Sequence, residues 1–270
     1  MTKVVAMADA CRDAPQRQPV AQAQSNAVRV LTINTHKGLA PWNRRFMLGE
    51  LRDAVRSSGA DVVFLQEVSG EEQRASRGAG SVSGPHYEFL ADQLWPQFAY
   101  GRNAVYPHGH HGNALLSRFP IVSERNHDIS VNGPEPRGLL HCVLDVPQVG
   151  ELHAICVHLG LREAHRQRQL LLLKALVEAQ IAPDTPLVVA GDFNDWRGRA
   201  DTILHGAGGL HSAFARAGVA QPRTFPARWP LLALDRIYVS NLRVQSACVL
   251  SALPWPHLSD HLPLLAELCP

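Results

Sequence analysis

The chain has 270 residues, of which 46% are hydrophobic and 19% charged, so it can bury a sizeable core and is not a disordered chain. Lys and Arg number 26 and Asp and Glu 24, and the resulting net charge of +2 is far from that of a protein that binds nucleic acid through a strongly basic surface. The five scattered cysteines lack a C-x-x-C pair and indicate neither a disulfide scaffold nor a zinc ribbon. No apolar run approaches the roughly 18 residues of a transmembrane helix. Because no signal-peptide core is found near the start, the cytoplasm is the expected compartment.

Composition divides the chain into a tail and a domain. Residues 1–27 are rich in Ala, Gln, Arg and Asp with little periodicity, which predicts a flexible N-terminal tail; a translation start assigned too far upstream would explain the same residues. Regular apolar patterns begin at residue 28, and neither an internal repeat nor a linker interrupts them. We therefore predict a single domain over residues 28–270.

Short apolar segments that alternate with helical patterns predict an α/β domain whose sheets are covered by helices. Residues 70–85 are expected to form a flexible loop, and residues 101–113 and 221–231 are expected to form loops that shape a pocket. The predicted strands are residues 28–34, 61–67, 114–116, 139–146, 152–158, 187–190, 236–239 and 262–268.

Two helices stand out in the apolar pattern. In the first, Phe46, Leu48, Leu51 and Val55 recur at helical spacing, and Gly59 follows as a C-terminal cap. The second spans residues 163–180. Its predicted buried side consists of Leu170, Leu173, Leu176 and Val177, and its predicted solvated side of Arg162, Arg166 and Arg168.

The common catalytic motifs are absent from the chain: it has no P-loop, no dinucleotide-binding glycine motif, no nucleophile elbow and no H-E-x-x-H. Polar residues instead stand where the predicted apolar strands begin or end. Strand ends in α/β sheets form the rim at which ligands bind, so residues far apart in the chain can converge there. The residues in these positions are Asn34, Glu67, His158, Asp192, Asn194, Asp235, Asp260 and His261.

Each of these residues also has an ordinary structural explanation. A Gly-Asp-x-Asn segment such as residues 191–194 is commonly a turn whose side chains cap their own backbone, and a Glu after a strand can cap a helix. Four carboxylates gathered in one cleft, however, repel one another unless a cation lies among them. The set of Glu67, Asp192, Asp235 and Asp260 therefore predicts a cation-binding cleft at the strand ends.

Six motifs carry this pattern in order along the chain, over about residues 28–268. They are Asn34, Gln66-Glu67, His158-Leu159-Gly160, Gly191-Asp192-Phe193-Asn194, Leu234-Asp235-Arg236-Ile237 and Ser259-Asp260-His261. The series resembles the endonuclease/exonuclease/phosphatase superfamily, which includes DNase I, exonuclease III-type abasic endonucleases, bacterial neutral sphingomyelinases and inositol-polyphosphate 5-phosphatases. Segments such as Asn34-Thr-His-Lys-Gly38 and Gly109-His-His-Gly-Asn113 are most similar to a bacterial subgroup.

The resemblance implies a four-layered α/β sandwich, in which two β-sheets pack face to face with helices outside. It also implies phosphoester hydrolysis assisted by Mg²⁺ or Mn²⁺, with Glu67 as the main metal ligand and Asn34 beside it. Asp260 is expected to hold a second cation or a metal-bound water. Mg²⁺ suits such a site because it takes few protein carboxylates and completes its octahedron with water and phosphate oxygens.

The remaining roles follow from the same resemblance. Asp235 is expected to orient His261, which either deprotonates water or supports the phosphoryl transition state electrostatically. Asp192 is expected to position the attacking water, Asn194 to donate to a phosphate oxygen, and His158 to contact the phosphate. Arg137, in Glu-Pro-Arg-Gly-Leu, is placed where an arginine that binds phosphate would be useful.

One segment departs from the exonuclease III pattern. Those enzymes carry Asn-x-Asn/Asp-Gly-x-Arg after the first strand, whereas His36 and Lys37 stand here in place of an acid, which argues against cleavage of abasic sites. Loop residues are expected to bind the substrate instead. The His108-x-His110-His111 cluster is better explained by contact with an anionic substrate or with solvent than by a metal site, and Asn113 and Trp229 complete the predicted substrate-binding set. Trp229 is explained equally well as core lining.

Three functions are compatible with these observations. The first is a metal-dependent phosphodiesterase that acts on a small or phospholipid-type phosphoester, in peripheral contact with lipid and without an obligate protein partner. The second is a DNase I-like nuclease, for which Arg102, Arg118, Arg137, Arg162 and Arg166 could line one groove, and against which the net charge argues. The third is a catalytically inactive binding module with the same fold. No catalytic position of the superfamily is lost, which argues against this third function.

Overall fold

The structure is a computed structural model that describes residues 27–38, 47–72, 85–91, 95–106, 109–131 and 135–270. The predicted tail lies outside the described residues except for its last position, as do Phe46, His108 and residues 73–84 of the predicted flexible loop. The strands are β1 Val28–Asn34, β2 Val62–Glu72, β3 Gln97–Tyr106, β4 Gly109–Ser117, β5 Ile121–Asp128, β6 Gly138–Val146, β7 Gly150–His158, β8 Leu187–Asp192, β9 His211–Ser212, β10 Asp235–Ser240, β11 Arg243–Val249 and β12 Leu264–Cys269. The helices are α1 Leu48–Ser57, α2 His86–Ala91, α3 Glu163–Gln180, α4 Arg199–Leu204, α5 Ala213–Arg216 and α6 Trp255–Leu258, with short 3-10 turns at His36–Gly38 and Ala207–Gly209.

Two six-stranded sheets pack face to face, in the orders β11-β12-β1-β2-β4-β3 and β5-β6-β7-β8-β10-β9. Three buried apolar layers hold the elements together. Phe64 of the first sheet and Cys156 of the second belong to the layer between the sheets. Leu51 of α1 packs against the outer face of the first sheet, and Leu173 of α3 packs against the outer face of the second. The predicted four-layered α/β sandwich is therefore confirmed.

The strongest periodic segments are confirmed: 28–34 is β1, and the helix predicted over about 163–180 is α3. The apolar residues predicted to face the core from α3 are buried, because they lie on the side of the helix that covers the second sheet. Gly59 ends α1 at a φ of +67°, a conformation that residues with a Cβ rarely adopt. Periodicity thus located the elements that bury most of their surface.

The prediction of a loop over residues 101–113 is wrong, because this segment is the β3–β4 hairpin apart from residues 107–108, which lie outside the described residues. Its glycines, which resemble a loop signal, allow close strand pairing instead. A Cβ on Gly112 would stand 1.9 Å from the carbonyl oxygen of Gly101. Residues 221–231 do form the predicted loop, which is closed by an isolated bridge between Phe225 and Leu232.

Arg166 corrects the predicted solvated side of α3, because it is only 1% exposed. Its guanidinium donates to the carbonyl oxygens of Gly160 and Leu161 at 3.2 and 2.8 Å, and it pairs with Glu163. It also lies 4.3 Å from the centre of the Trp196 ring. An arginine can be buried at this depth because every face of its guanidinium has a partner.

Buried histidines should make the fold sensitive to acid. Burial lowers the pKa of His86 and of His141 to about 4, and for His141 the neighbouring His153 and His127 add to the effect. Between about pH 6.5 and pH 4 the unfolded chain therefore binds protons that the folded chain does not, so this contribution to stability is complete above pH 6.5 and is lost as the pH falls toward 4. We expect the unfolding free energy in urea to fall from pH 7 to pH 5 in chelator-containing buffer, and to fall less steeply in His141→Gln. An equal slope in both proteins would contradict this assignment.

Among the described residues, no helix is both long enough and apolar enough to cross a bilayer.

Candidate active site

The candidate site forms where the ends of central strands from both sheets meet. In the first sheet β1 runs parallel to β2, and Asn34 pairs with Gln66. In the second sheet β7 runs parallel to β8, so His158 pairs with Asp192, and the antiparallel β10 places Asp235 opposite Asp192. Parallel strands end at the same edge of a sheet, which is why residues from distant segments converge here.

Glu67 enters the site through an irregularity in β2. The register of the β2–β4 ladder shifts between Leu65 and Val68, and Glu67 has a φ of +54°, in the left-handed region that non-glycine residues rarely occupy. A bulge of this kind re-aims a side chain relative to the regular strand. Glu67 lies at a strained backbone position beside the site, an arrangement that is common at functional residues.

The amide of Asn34 joins the two sheets at the centre of the site. Its Nδ2 lies 3.1 Å from Oδ2 of Asp192 and 3.4 Å from Oε1 of Glu67, and its Oδ1 accepts from the backbone N–H of His36 at 3.0 Å. In this arrangement Asn34 donates to the two carboxylates, and its oxygen is turned toward the backbone. Two acids that are more than 120 residues apart in the chain therefore share one donor.

His261 and Asp235 form a buried hydrogen-bonded pair. Nδ1 of His261 lies 2.8 Å from Oδ2 of Asp235, and both side chains are almost completely buried. The backbone N–H of His261 donates to Oγ of Ser259 at 3.2 Å, and that hydroxyl donates to the carbonyl of Asn34 at 2.6 Å. The ring of Phe225 packs 5.0 Å from the imidazole. These contacts fix the imidazole with Nε2 facing the site, 3.9 Å from Oδ2 of Asp192.

The carboxylates around His261 raise the pKa of its imidazole by more than burial lowers it. Burial alone would lower the pKa of this imidazole, but the negative charges of Asp235, Asp192 and Asp260, together with the Asp235 hydrogen bond, raise it to about 10. The imidazole is therefore a cation at neutral pH in this structure. Of the two expected roles, this favours electrostatic support of a phosphoryl group over deprotonation of water.

Asp192 lies at the centre of the buried polar cluster. Burial, reinforced by the charge of Asp235, raises the pKa of its carboxyl. Its Oδ1 accepts from the backbone N–H of Asn194 at 2.8 Å, and its Oδ2 is 3.6 Å from Nε2 of His158. Burial and the nearby charge of Arg137 hold the pKa of His158 well below 6.5, so His158 is neutral. Asn194 also donates through Nδ2 to the carbonyl of Leu159 at 3.0 Å.

Asp260 pairs with His36, which is notable in the sequence only because it replaces an acid of the exonuclease III pattern. Nδ1 of His36 lies 3.0 Å from Oδ2 of Asp260. This hydrogen bond is the main reason that the pKa of His36 is raised. Burial favours the protonated form of Asp260, but the hydrogen bond from His36 and the charge of His261 together lower its pKa. The site thus contains two carboxylate–imidazole pairs, one deeply buried and one at its edge.

The donor set fits a divalent cation that prefers oxygen ligands. Carboxylate oxygens of Asp192 and Asp235 lie within 4.8 Å of each other, and Oδ1 of Asp235 is buried without a hydrogen-bond partner among the described residues. The protonated imidazole of His261 beside them offers no free electron pair to a cation. Carboxylate oxygens are the ligands that Mg²⁺ and Mn²⁺ prefer. The predicted metal ligand Asn34 presents its nitrogen rather than its oxygen to Glu67, so it would have to turn its amide to coordinate a cation.

Positive groups surround this acidic centre. Lys37 and Arg137 both act on the pKa values of His111 and His158, which places their charges beside the site. Arg137 donates through Nε to the carbonyl of Leu159 at 3.3 Å, and its side chain is 12% exposed. His111 lies among these charges with its ring stacked on Tyr106, at 5.3 Å between centroids. An anionic centre with a cationic rim is suited to a cation and a phosphate group together.

Of the predicted substrate-binding residues, His110 and Asn113 make internal contacts, whereas Trp229 is exposed. The imidazole of His110 is 2.9 Å from the Tyr100 hydroxyl and covers the backbone of Gly70. Asn113 is fully buried and donates to the carbonyls of Gly138 and Cys156 in the other sheet, so both of its amide hydrogens serve the contact between the sheets. Trp229 is 68% exposed, so the alternative that it lines the core is wrong.

Sequence reasoning missed three residues that position the site. Ser259 anchors the His261 segment to the end of β1, and Phe225 supports the imidazole. Oγ1 of Thr224 lies 3.3 and 3.4 Å from the backbone nitrogens of Leu234 and Asp235. The Ser-Asp-His sequence could have indicated the first, since Ser hydroxyls commonly accept from the backbone two residues onward. No local signal indicates the other two.

Comparisons with known proteins agree with this geometry. The sequence profile of the Endonuclease/Exonuclease/phosphatase family matches residues 31–261. Uncharacterized protein YbhP of Escherichia coli (strain K12) is 53% identical over 249 residues, which cover 92% of this chain and 98% of that protein. The solved structure of the endonuclease/exonuclease/phosphatase from Beutenbergia cavernae DSM 12333 aligns with a TM-score of 0.72 at 22% identity, over 90% of this chain and 71% of that chain. The mannosyl-6-phosphatase of Bacteroides thetaiotaomicron VPI-5482 aligns with a TM-score of 0.64 at 17% identity, over 89% and 99% of the two chains. The chain therefore belongs to the endonuclease/exonuclease/phosphatase family, whose members are typically metal-dependent hydrolases of phosphoesters.

Proposed function

We propose that this protein is a phosphodiesterase, dependent on Mg²⁺ or Mn²⁺, that acts on a small or phospholipid-type phosphoester. The observation that carries the proposal is the acidic centre at Asp192 and Asp235, with a cationic rim and an apolar loop beside it. A phosphoester with an apolar substituent matches this combination, because its charged group needs the rim and its substituent needs the loop.

Each residue of the site has a separate role in the proposed hydrolysis. Asp235 holds the imidazole of His261 in place, and His261, as a cation, faces the phosphoryl oxygens through Nε2. Asp192 accepts a hydrogen bond from the attacking water. Arg137 adds positive charge at the rim. A divalent cation bound at Glu67 and Asp260 would neutralise further charge on the phosphoryl group.

Apolar surface adjoins the site on one side. A pocket of about 120 Å³ beside Asp260 is lined mainly by Phe225, Pro226, Ala227 and Pro256. This volume is close to the ~150 Å³ of a cavity that binds benzene, so a small apolar group fits. Beyond the pocket, the same loop exposes Trp229 at 68% and Leu231 at 65%. Exposed apolar side chains next to a site are typical of contact with a lipid or with another apolar partner.

A DNase I-like nuclease is the second candidate, and the structure weakens the arginine groove that supported it. Arg166 is buried in internal contacts. Arg118 pairs with Asp61 at 3.0 Å. Asp61 lies six residues before Glu67, which corresponds to roughly 20 Å of extended chain, so this arginine is far from the site. A protein that contacts several backbone phosphates needs a continuous set of cations.

A metal-supplemented substrate screen tests the proposal. Its substrates are bis-p-nitrophenyl phosphate, the corresponding monoester, DNA, RNA and phospholipid vesicles, with His261→Ala as the inactive control. The monoester is included because one structural relative is a mannosyl-6-phosphatase. We expect hydrolysis of phospholipid or of the small diester to be faster than that of DNA at physiological salt. Efficient DNA cleavage with a steep salt dependence would favour the nuclease, and binding without turnover of any substrate would favour the inactive module.

Trp229→Ala is expected to reduce hydrolysis of vesicle phospholipid several-fold while leaving hydrolysis of bis-p-nitrophenyl phosphate unchanged. The indole is exposed, so its loss should affect contact with the lipid surface rather than the fold. Leu231→Ala should act in the same direction. Leu171→Ala provides the matched control, because Leu171 is 52% exposed on the outer side of α3. Equal effects on both substrates would contradict a lipid-docking role.

A further inference from the structure

A second cluster of ionisable side chains lies on the second sheet, away from the candidate active site. It is formed by His127 on β5, His141 on β6 and His153 on β7, which are adjacent strands. The ring centroids of His127 and His141 are 6.0 Å apart, and those of His141 and His153 are 5.0 Å apart. Five residues of extended strand, about 16 Å, separate His153 from His158 of the active site.

These histidines project from the outer face of the sheet, yet two of them are buried. Their neighbours in sequence, Cys142 and Ala154, belong to the layer between the sheets, and alternate strand residues point to opposite faces. His141 is 8% exposed and His153 is 7% exposed. Burial of two imidazoles on an outer face has no explanation in the hydrolytic site.

The contacts of the two buried rings determine which ring nitrogen of each histidine carries the hydrogen. Nε2 of His153 is 2.9 Å from Oε1 of Glu151, and Nδ1 of His153 is 2.8 Å from Nε2 of His141. An ionised carboxylate only accepts, so in the neutral ring Nε2 of His153 carries the hydrogen and Nδ1 has a free electron pair. The hydrogen between the two rings then belongs to Nε2 of His141.

We propose that His141 Nε2 and His153 Nδ1 bind a transition-metal ion of the Zn²⁺ class, with Glu151 orienting His153 and His127 supplying a third nitrogen. Two nitrogens on one tetrahedral Zn²⁺ stand about 3.3 Å apart, given Zn–N distances of ~2.0–2.1 Å. The observed separation of 2.8 Å is about 0.5 Å shorter than this value, so on binding both rings would move apart and turn their nitrogens from each other toward the metal.

The surroundings of the pair match those of a metal-binding histidine. Metal-bound imidazoles commonly donate their second ring N–H to a carboxylate, which fixes the tautomer and raises the basicity of the ligand, and Glu151 stands in that position. Burial lowers the pKa of His141 to about 4, so this ring is neutral at pH 7 and no net proton has to be lost when a metal binds. His141 changes tautomer instead: its hydrogen leaves Nε2 for solvent, and Nδ1 takes one up.

His127 provides the remaining evidence. Its Nε2 is buried and has no hydrogen-bond partner among the described residues. Such an orphaned nitrogen beside the His141 imidazole is costly unless a ligand satisfies it. As the side chains stand, the three rings do not converge on one point, so His127 would rotate toward His141 on binding. Imidazole donors prefer zinc, copper or nickel and bind Mg²⁺ poorly, which separates this site from the oxygen-rich active site.

Calorimetric titration with ZnCl₂ tests the proposal independently of hydrolysis. The titrated protein carries Glu67→Gln and His261→Gln, which remove a metal-binding carboxylate and an imidazole from the active site, and excess Mg²⁺ is present. We expect one Zn²⁺ per chain, at least tenfold weaker binding after His153→Gln, and about 10–100-fold weaker binding after Glu151→Gln. His205→Gln is the matched control, because His205 and His211 also form a histidine pair, with ring centroids 6.0 Å apart, and no carboxylate of the described residues is hydrogen-bonded to either ring.

Two further measurements keep the test decisive if His153→Gln or His141→Gln fails to fold. The Glu151 side chain is 64% exposed, so Glu151→Gln should fold normally, and His127→Gln changes a ring on the edge strand β5. Co²⁺ bound to the same protein should give the visible absorption of a tetrahedral site with nitrogen ligands, and Zn²⁺ should displace it. No Zn²⁺ binding by the parent protein, or equal affinity in the Glu151→Gln and His127→Gln variants, would overturn the proposal and leave a hydrogen-bonded histidine chain.

Discussion

His261→Ala is expected to lower kcat by about 10²–10⁴-fold, which corresponds to a loss of ~3–5 kcal/mol of transition-state stabilisation. The imidazole points Nε2 into the site from a rigid support made by Asp235, Ser259 and Phe225, so its charge is held at one position. The measurement is kcat on bis-p-nitrophenyl phosphate with saturating metal. Unchanged circular dichroism and thermal stability would show that the loss is chemical.

Asp235→Asn should lose much of the same factor, because it removes the charge that holds His261 protonated. The two residues act as a unit, so the double variant should be little worse than His261→Ala. Asp201→Asn is the matched control, since Asp201 accepts from the Tyr238 hydroxyl at 2.6 Å. A double variant that shows the product of two large single losses would contradict the paired assignment.

The pH profile separates the two roles of His261. With its pKa raised to about 10, the imidazole stays protonated from acid through neutral pH. If it acts as a cation, activity should persist at neutral pH and fall at alkaline pH, where the imidazole loses its proton. If it acts as a base, activity should instead rise with pH across that range. Asp235→Asn should move either limb toward lower pH, because a major source of the raised pKa is removed.

The sequence predicted the central layers of the fold well and its edges poorly. Strands such as β1 and β8 are buried on both faces, so their apolar residues are continuous and easy to recognise. The edge strands β5 and β11 were missed, because each pairs on one side only and has no fully buried side chain. Polar residues on edge strands commonly prevent aggregation through the unpaired edge. Where they occur, the alternation of apolar and polar residues that predicts a strand is lost.

In the candidate site, too, some residues could be predicted from the sequence and others could not. Glu67, Asp192 and His261 could be found because polar residues at the ends of apolar strands are unusual in sequence. The partnership of His36 with Asp260 could not, since more than 220 residues separate the two and the contact depends on left-handed backbone at His36. Likewise, Asn113 shares a strand with residues near the site but turns its amide to the other sheet. Such contacts depend on side-chain direction, which periodicity does not encode.

Removal of divalent cations should abolish hydrolysis and also lower the melting temperature. The buried carboxylates of Asp192 and Asp235 face one another across the β8–β10 ladder with Glu67 and Asp260 nearby, and a cation would relieve their repulsion. A cation at 100 times its Kd adds about 2.7 kcal/mol of stability, which corresponds to a rise in Tm of roughly 5–10 °C for a domain of this size. Mg²⁺ is the cation to use, because the histidine cluster on the second sheet should not bind it.

Glu67→Gln should remove most of both effects. The substitution keeps the shape of the side chain and an oxygen that can accept from Asn34, but it removes the charge that attracts the cation, so activity and the Mg²⁺-dependent rise in Tm should fall together. Without Mg²⁺, the variant should be no less stable than the wild type, because one source of repulsion among the acids is gone. Glu178→Gln is the matched control, since Glu178 pairs only loosely with Lys174, at 3.9 Å on the surface of α3. Scanning calorimetry and turnover measured on the same samples test the coupling directly. Full activity in excess EDTA would refute the metal dependence, whereas a loss of activity with an unchanged response of Tm to Mg²⁺ would place the cation on other ligands than Glu67.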